Sequence, residues 1–226
     1  MTERSDKKAA ERGKKWERRS DERPAELMTA ALRLFAERGF AGTRLEDVAA
    51  SAGVSKATVY LYFDNKESLF EAVVRDTVTP RLEQADALLD AFDGSTPNLV
   101  RTMLALLEGV LDGPLPSVLK VVIAESGNFP ELARLWGDVV LRRLFKLLHR
   151  VVQRGIDRGE FRSVNPSDIV PLIGAPVVIL GLWKQSFGVH TEIHLDPRAV
   201  MAAHVDMLLR GLSKPAPGRA REKGKR

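Results

Sequence analysis

The side chains with the clearest chemistry in this chain lie between positions 56 and 62. They supply one cation, one small hydroxyl, one methyl group and two phenols, with no carboxylate among them: Lys56, Ala57, Thr58, Tyr60 and Tyr62. Phosphate oxygens accept hydrogen bonds from cations and hydroxyls, and base edges offer donors, acceptors and methyl groups. The set therefore predicts a surface that contacts nucleic acid.

Two short helices must position these side chains. Residues 44–63 show apolar residues at helical spacing on either side of Gly53, which is the residue type that ends a helix in the left-handed conformation. Ser55 is placed to cap the second helix, and Val59 and Phe63 face inward four residues apart. The pattern is typical of a helix-turn-helix, whose second helix enters a DNA groove.

The flanking residues predict where the neighbouring helices begin. Thr43 with Glu46, and Asp64 with Glu67, match the spacing of a capping box, in which each end supplies an acceptor for the other's backbone amide. Lys66 then falls in the first turn of the fourth helix. A helix N-terminus next to a cation favours a phosphate, so Lys66 is predicted to hold the DNA backbone.

The segment GFAGTRLEDVAASAGVSKATVYLYFDNKESLF resembles the DNA-binding domain of the TetR/AcrR family of bacterial transcriptional regulators. The resemblance runs from about Ala25 to about Val74. A second segment, FPELARLW at Phe129–Trp136, is similar to part of the regulatory domain in an AefR-like subset. The resemblance implies a dimeric regulator that binds operator DNA and responds to a small molecule, usually as a repressor and sometimes as an activator.

The DNA-binding residues fall into two predicted groups. Base edges are assigned to Ala57, Thr58 and Tyr60. Phosphates, or the ordering of the recognition helix, are assigned to the remaining residues: Thr43, Arg44, Ser55, Lys56, Tyr62 and Lys66. Packing against neighbouring helices is the alternative for each tyrosine, and Thr43 has the alternative of serving only as a cap.

Charge is concentrated in the two ends of the chain. Residues 1–23 hold nine basic and six acidic residues, residues 213–226 hold six and one, and residues 24–70 hold five and six, within a net charge of +5. We therefore expect a disordered basic arm (1–23), a helix-turn-helix domain (24–70), a helical regulatory and dimerisation domain (71–212) and a disordered basic tail (213–226). Phosphate affinity must then come from a few placed cations and the arm.

Composition predicts a cytoplasmic globular protein. The chain has 226 residues, 44% of them hydrophobic, no cysteine, and no apolar leader at its N-terminus. Its longest uncharged run, Ile169–Trp183, has 15 residues and contains Pro171 and Pro176, whereas a membrane span needs about 20 residues. We interpret this run as a buried helix.

An all-α fold of about nine helices is predicted. Three helices precede Asp64, the first of them running from Pro24 to Gly39. Six more follow from helical spacing and from proline at first-turn positions: Lys66–Leu89, Pro97–Leu111, Ser117–Ala124, Pro130–Arg158, Pro166–Phe187 and Pro197–Leu212.

The last two helices carry the predicted homodimer interface. The family resemblance implies that they pair with their copies in a second subunit, and Gly174, Ala175 and Gly181 permit close helix approach. Val200, Val205 and Leu208 would supply an apolar face. A two-fold dimer predicts a palindromic operator.

A small-molecule effector is the second predicted partner, and no cofactor is expected. Its binding would favour the arrangement that releases DNA. The residues assigned to its pocket are apolar, aromatic or histidine: Met103, Leu107, Phe129, Trp136, Phe145, His149, Trp183 and Phe187. Ordinary core packing is the alternative for each. These helices hold few charges, so we expect an apolar or aromatic effector.

A metal-dependent enzyme is the competing class. In an extended segment, the side chains of His190, Glu192 and His194 would share one face, as ligands of a metal might. A solvated or interface-facing loop is the other interpretation. The sequence contains no phosphate-binding glycine loop, nucleophile elbow or acid pair, so we expect a regulator and not an enzyme.

Overall fold

The computed structural model describes residues 23–188 and 190–214, without the side chains of Leu107 and Glu108. The predicted basic arm, up to residue 22, and the predicted basic tail, from residue 215, lie outside the described residues.

The described residues are helical almost throughout, as predicted. Ten helices can be labelled: α1 (23–38), α2 (Leu45–Ser51), α3 (Lys56–Tyr60), α4 (Lys66–Ala91), α5 (Thr96–Leu111), α6 (Leu115–Glu125), α7 (Pro130–Trp136), α8 (Arg142–Asp157), α9 (Pro166–Leu182) and α10 (Pro197–Leu212). A π-helical turn, Gly137–Leu141, joins α7 to α8 without a break, so these form nine continuous helices. A second π-helical turn, Trp183–Phe187, extends α9.

The N-terminal head is built from α1, α2, α3 and the first turns of α4. Phe35, Phe40 and Phe70 form its centre, with ring centroids 5.3 to 5.7 Å apart. Val48 of α2 and Val59 of α3 are fully buried in the same core. Such rings and branched side chains contribute most of the apolar burial that holds three short helices together.

The helix starts differ from the predicted capping boxes by one residue in each case. Arg44 is the N-terminal cap of α2, and its backbone amide donates to Asp47 at 3.2 Å. Asn65 caps α4, where its side chain accepts from the Ser68 amide at 2.7 Å. The boxes assigned to Thr43 with Glu46 and to Asp64 with Glu67 are therefore wrong.

In the C-terminal body, α5 and α8 pack against α4, while α9 packs on α6 and α8 and α10 packs on α5 and α9. Arginines of α8 reach across to carboxylates of α4: Arg143 contacts Asp86 at 3.4 Å, and Arg150 contacts Asp86 and Asp90. The apolar side of α8 is buried against α5 and α9, with Leu147 and Val151 each 1% exposed. These contacts fix the long α4 helix, which joins the head to the body.

The interpretation of Ile169–Trp183 as a buried helix is wrong for the single chain. Leu172 and Ile179 on α9 are 55% and 58% exposed. Among the described residues, Pro166–Phe187 is the one helix that meets the length and hydropathy of a membrane span, with 33% of its apolar window buried. An apolar helix of this kind is also typical of an interface between subunits.

Candidate nucleic-acid interface

The two helices of the predicted motif meet at a turn built as the sequence indicates. Gly53 adopts φ +67°, in the left-handed region, and ends α2. Ser55 caps α3 by accepting from the Thr58 amide at 3.1 Å. Since Val59 is buried beneath α3, the opposite side of this helix is left for a partner.

Most of the predicted contact residues lie on that open side. Arg44, Ser55, Lys56 and Ala57 are exposed, and Tyr60 is 44% exposed. Thr58 is half-buried, and its hydroxyl is hydrogen-bonded to the Ser55 hydroxyl at 2.8 Å. The face thus presents a cation, hydroxyls and an aromatic ring together.

Lys56 is not a free cation on this face. Its ammonium forms an ion pair with Glu46 of α2 and lies 5.6 Å from the centroid of the Tyr60 ring. The hydrogen bond with Lys56 lowers the pKa of the Glu46 carboxyl, and the same bond raises the pKa of Lys56. Glu46 therefore places a carboxylate beside the surface that would meet phosphates.

Two of the predicted residues are packed inward. Thr43 is 1% exposed, and its hydroxyl donates to the Gly39 carbonyl at 2.9 Å. The hydroxyl is thus engaged within the head, and the contact of Thr43 with a phosphate stays a prediction. Tyr62 is half-buried and packs against the head core, which agrees with the packing alternative.

Lys66 is also held within the protein. Its ammonium donates to the Phe40 carbonyl at 2.9 Å and lies 4.5 Å from the Phe40 ring and 5.4 Å from the Phe129 ring. Lysine has three N–H donors, so at most two are left for a phosphate. The contact of Lys66 with a phosphate stays a prediction, and the same ammonium also links the head to the body.

An open groove of about 400 Å³ adjoins this face. It runs between the start of α2, the end of α3 and the start of α4, and is lined by Ala41, Thr43, Arg44, Leu45, Tyr60, Asp64, Asn65, Lys66 and Glu67. Two cations and two carboxylates balance each other here. Any affinity of this groove for a phosphate must come from placed donors rather than net charge.

The head contacts the body at the end of α6. The Glu125 carboxylate accepts from the Phe40 amide at 2.8 Å, and the Phe129 ring lies 5.1 Å from the Phe40 ring, edge to face. Phe129 was predicted to line an effector pocket, and it instead packs on the head. The junction joins the turn before α2 to the loop between α6 and α7.

The other predicted pocket residues lie in several different environments. Phe145 and Phe187 are 42% and 58% exposed, and His149 is exposed on α8, so these three are removed from the predicted pocket. Trp136 packs on the core that the head shares with α6 and α7, and Met103 packs on the body core. Trp183 contacts Phe187, and the side chain of Leu107 lies outside the described residues.

A second groove, of about 270 Å³, lies between α5 and α10. Arg101 and Asp206 lie in its lining, together with five apolar residues: Leu104, Ala105, Met201, Ala202 and Val205. None of the eight predicted pocket residues lines this groove. His190, Glu192 and His194 are exposed, and no group of metal ligands occurs among the described residues.

Comparison with known proteins identifies the family. Residues 27–73 match the bacterial regulatory proteins of the tetR family, and residues 97–168 match the C-terminal domain of AefR-like transcriptional repressors. The HTH-type transcriptional regulator RutR of Escherichia coli is 30% identical over 150 residues, which cover 66% of this chain and 69% of RutR. The chain belongs to the TetR family of transcriptional regulators.

Solved structures show that the TetR-family fold extends over both parts of the chain. A TetR-family regulator from Mesorhizobium loti superposes with a TM-score of 0.64 at 24% identity, covering 87% of this chain and 99% of that one. FadR of Bacillus subtilis, solved with stearoyl-CoA, gives a TM-score of 0.68 at 20% identity, covering 83% and 98%. The helix-turn-helix head lies within the part that matches the tetR-family model.

Two residues of the face were missed by the sequence reasoning. Leu61, at the end of α3, is 80% exposed, and Glu46 holds Lys56. Leu61 follows Ala57 by four residues, so helical spacing alone would have placed it on the outward stripe. No local pattern pairs Glu46 with Lys56, because the two lie on different helices.

Proposed function

We propose that this TetR-family regulator is a ligand-responsive repressor that recognises a palindromic operator through α3. The observation that carries the proposal is the open side of α3, where Lys56, Ala57, Tyr60 and Leu61 are exposed while Val59 anchors the helix from below. A large aromatic and a leucine left uncovered on a short helix indicate a partner surface.

The contacts divide into two kinds. Base edges are assigned to Ala57, Thr58, Tyr60 and Leu61. Apolar groups there contact the thymine methyl, and hydroxyls form hydrogen bonds with donors or acceptors on the bases. Arg44 and Lys56 are assigned to phosphates, and Lys66 supports the start of α4 beside them. Phosphate contacts fix the position of the protein and carry no sequence information directly.

Substitution separates the two kinds of contact. Arg44→Gln should weaken binding to all duplexes alike, whereas Thr58→Val should change the order of preference among base-pair variants of the best-bound duplex. Fluorescence anisotropy on a labelled duplex and its single-base variants measures both effects. A uniform loss from both substitutions would contradict the division.

A homodimer formed through α9 and α10 is proposed to carry two heads. Its support is the exposed apolar stripe of α9, where Leu172, Ala175 and Ile179 follow at intervals of three and four, together with Met207 on α10, which is 66% exposed. Burying such a stripe against its copy removes apolar area from water. Two heads read more base pairs than one, which a single operator in a genome requires.

The proposed effector is a small, largely apolar molecule bound in the body, and the regulator acts in the cytoplasm without catalysis. The body core consists of leucine, valine, isoleucine, phenylalanine and methionine side chains. FadR of Bacillus subtilis, which shares this fold, was solved with stearoyl-CoA. A thermal-shift screen tests the effector class: stabilisation by acyl or aromatic compounds is expected, and stabilisation by polar metabolites alone would contradict it.

A further inference from the structure

The ion pair between Glu46 and Lys56 is an unusual feature for a surface that meets DNA. Glu46 lies on α2 and Lys56 in the first turn of α3, and both side chains are about half exposed. An exposed ion pair of this kind contributes little to folding stability. Its position beside the recognition face suggests a role in binding instead.

The pair sets both the charge and the direction of Lys56. Residues 24–70 hold five basic and six acidic residues, so no excess of positive charge hides the effect of one carboxylate. The ammonium of Lys56 is held by Glu46 and lies 5.6 Å from the centroid of the Tyr60 ring. While the pair is formed, the Glu46 carboxylate offsets the positive charge that Lys56 would bring to a phosphate.

We propose that Glu46 is a specificity-determining residue, which restrains Lys56 so that the recognition helix gains little from phosphates of arbitrary DNA. On a nonspecific duplex, Lys56 stays with Glu46 and releases no counterion. On the operator, the close fit of α3 lets the base contacts offset the loss of the ion pair. The inference rests on the proposed role of the α3 face in DNA binding.

Salt dependence measures this restraint directly. Each phosphate that a lysine neutralises adds about 0.9 to the slope of log affinity against log salt. Glu46→Gln keeps the size of the side chain and removes its charge, so Lys56 becomes free to bind a phosphate. On a labelled duplex of scrambled sequence, we expect the slope to steepen by about 0.9 for each bound head. The ratio of the affinity of Glu46→Gln to that of the wild type then grows by roughly three-fold per head when the salt concentration falls four-fold.

Two further variants make the test specific. Asp138→Asn removes the same charge from an exposed ion pair with Arg142 in the body and should leave the slope unchanged. In a Lys56→Gln background, Glu46→Gln should add nothing to the slope, because the restrained cation is gone. The proposal would be overturned if Glu46→Gln and Asp138→Asn gave the same slope of log affinity against log salt. It would also be overturned if Glu46→Gln steepened that slope equally in the wild-type and Lys56→Gln backgrounds.

The same titrations separate this inference from the function beneath it. If Lys56→Gln and Tyr60→Ala both leave binding to the best-bound duplex of the gene's own upstream region unchanged, the α3 face is not the DNA-binding surface. If those two substitutions weaken binding while Glu46→Gln gives the same salt slope as the wild type on scrambled DNA, the α3 face binds DNA and the proposed role of Glu46 is refuted.

Discussion

Alanine substitutions at two glycines, one at the junction between head and body and one outside it, should differ in their effect on stability. Gly39 and Gly53 both adopt positive φ, at +76° and +67°. A Cβ built on Gly53 meets nothing within 4 Å, whereas one built on Gly39 overlaps the Glu125 carboxylate oxygen that accepts from the Phe40 amide. The two positions therefore share a backbone cost and differ in one hydrogen bond.

The magnitudes follow from that difference. Alanine in the left-handed conformation costs roughly 1–2 kcal/mol, so Gly53→Ala should lower Tm by roughly 2–8 °C for a chain of this size. Gly39→Ala bears the same cost, and it also displaces Glu125 from the Phe40 amide. A hydrogen bond to a charged group contributes about 1.5–3 kcal/mol, so the total is roughly 2.5–5 kcal/mol. The expected fall in Tm is then roughly 5–20 °C.

Thermal unfolding followed by circular dichroism, at one protein concentration, measures these shifts. Glu125→Ala supplies the control, since it removes the carboxylate that the new methyl group would displace. In that background, Gly39→Ala should cost no more than Gly53→Ala costs in the wild type. Equal losses from the two glycine substitutions in the wild type would refute the reasoning, as would an undiminished loss from Gly39→Ala without the Glu125 carboxylate.

Three further predictions concern the dimer, pH and the recognition face. Ile179→Arg should produce a monomer by analytical ultracentrifugation and weaken operator binding more than ten-fold, and a dimer of normal affinity would contradict the proposed interface. Burial lowers the pKa of His204 against an opposing hydrogen bond to the Ile173 backbone, so the unfolded chain takes up the proton first. Stability should therefore fall as the pH drops from about 6.5 through the lowered pKa, and His204→Gln should flatten this part of a pH-dependent denaturation curve. Leu61→Ala should leave Tm unchanged, because Leu61 is 80% exposed, and lower operator affinity by about five-fold, or about 1 kcal/mol, in anisotropy titrations; an unchanged affinity would exclude Leu61 from the interface.

Local patterns were sufficient to predict the helix-turn-helix. Gly53, Ser55 and Val59 act within one or two helical turns of their own positions, and the structure confirms the turn, the cap and the buried face that they indicate. The order of helices in the body followed from the same kind of signal, since proline and glycine mark most of the helix ends.

Contacts between distant segments were not predictable in this way. Thr43 and Arg44 are both polar, and the preference for Arg44 as the cap arises because Thr43 turns inward to the Gly39 carbonyl. Lys66 likewise finds a carbonyl at Phe40 that no spacing rule connects to it. Each of these outcomes depends on how separate helices are rotated against each other.

The directions in which the predicted pocket residues point were not predictable for the same physical reason. A phenylalanine on an amphipathic helix faces whichever neighbour the packing provides, and Phe145 faces outward while Phe129 faces the head. For α9, the hydrophobicity of the sequence indicated a buried helix but could not say which of its sides would be covered. In the single chain its apolar stripe is exposed, which fits burial by a second copy.

The most direct test of the account is fluorescence anisotropy of the purified protein on labelled duplexes that tile the DNA flanking its own gene. Tyr60→Ala removes the exposed ring of α3, and Ile123→Ala is the control, because it truncates a 49% exposed side chain on α6. One palindromic tile should be bound well above scrambled DNA by the wild type and by Ile123→Ala, and Tyr60→Ala should lose this preference. Equal binding to every tile, or a preference that survives Tyr60→Ala, would contradict sequence recognition by the α3 face.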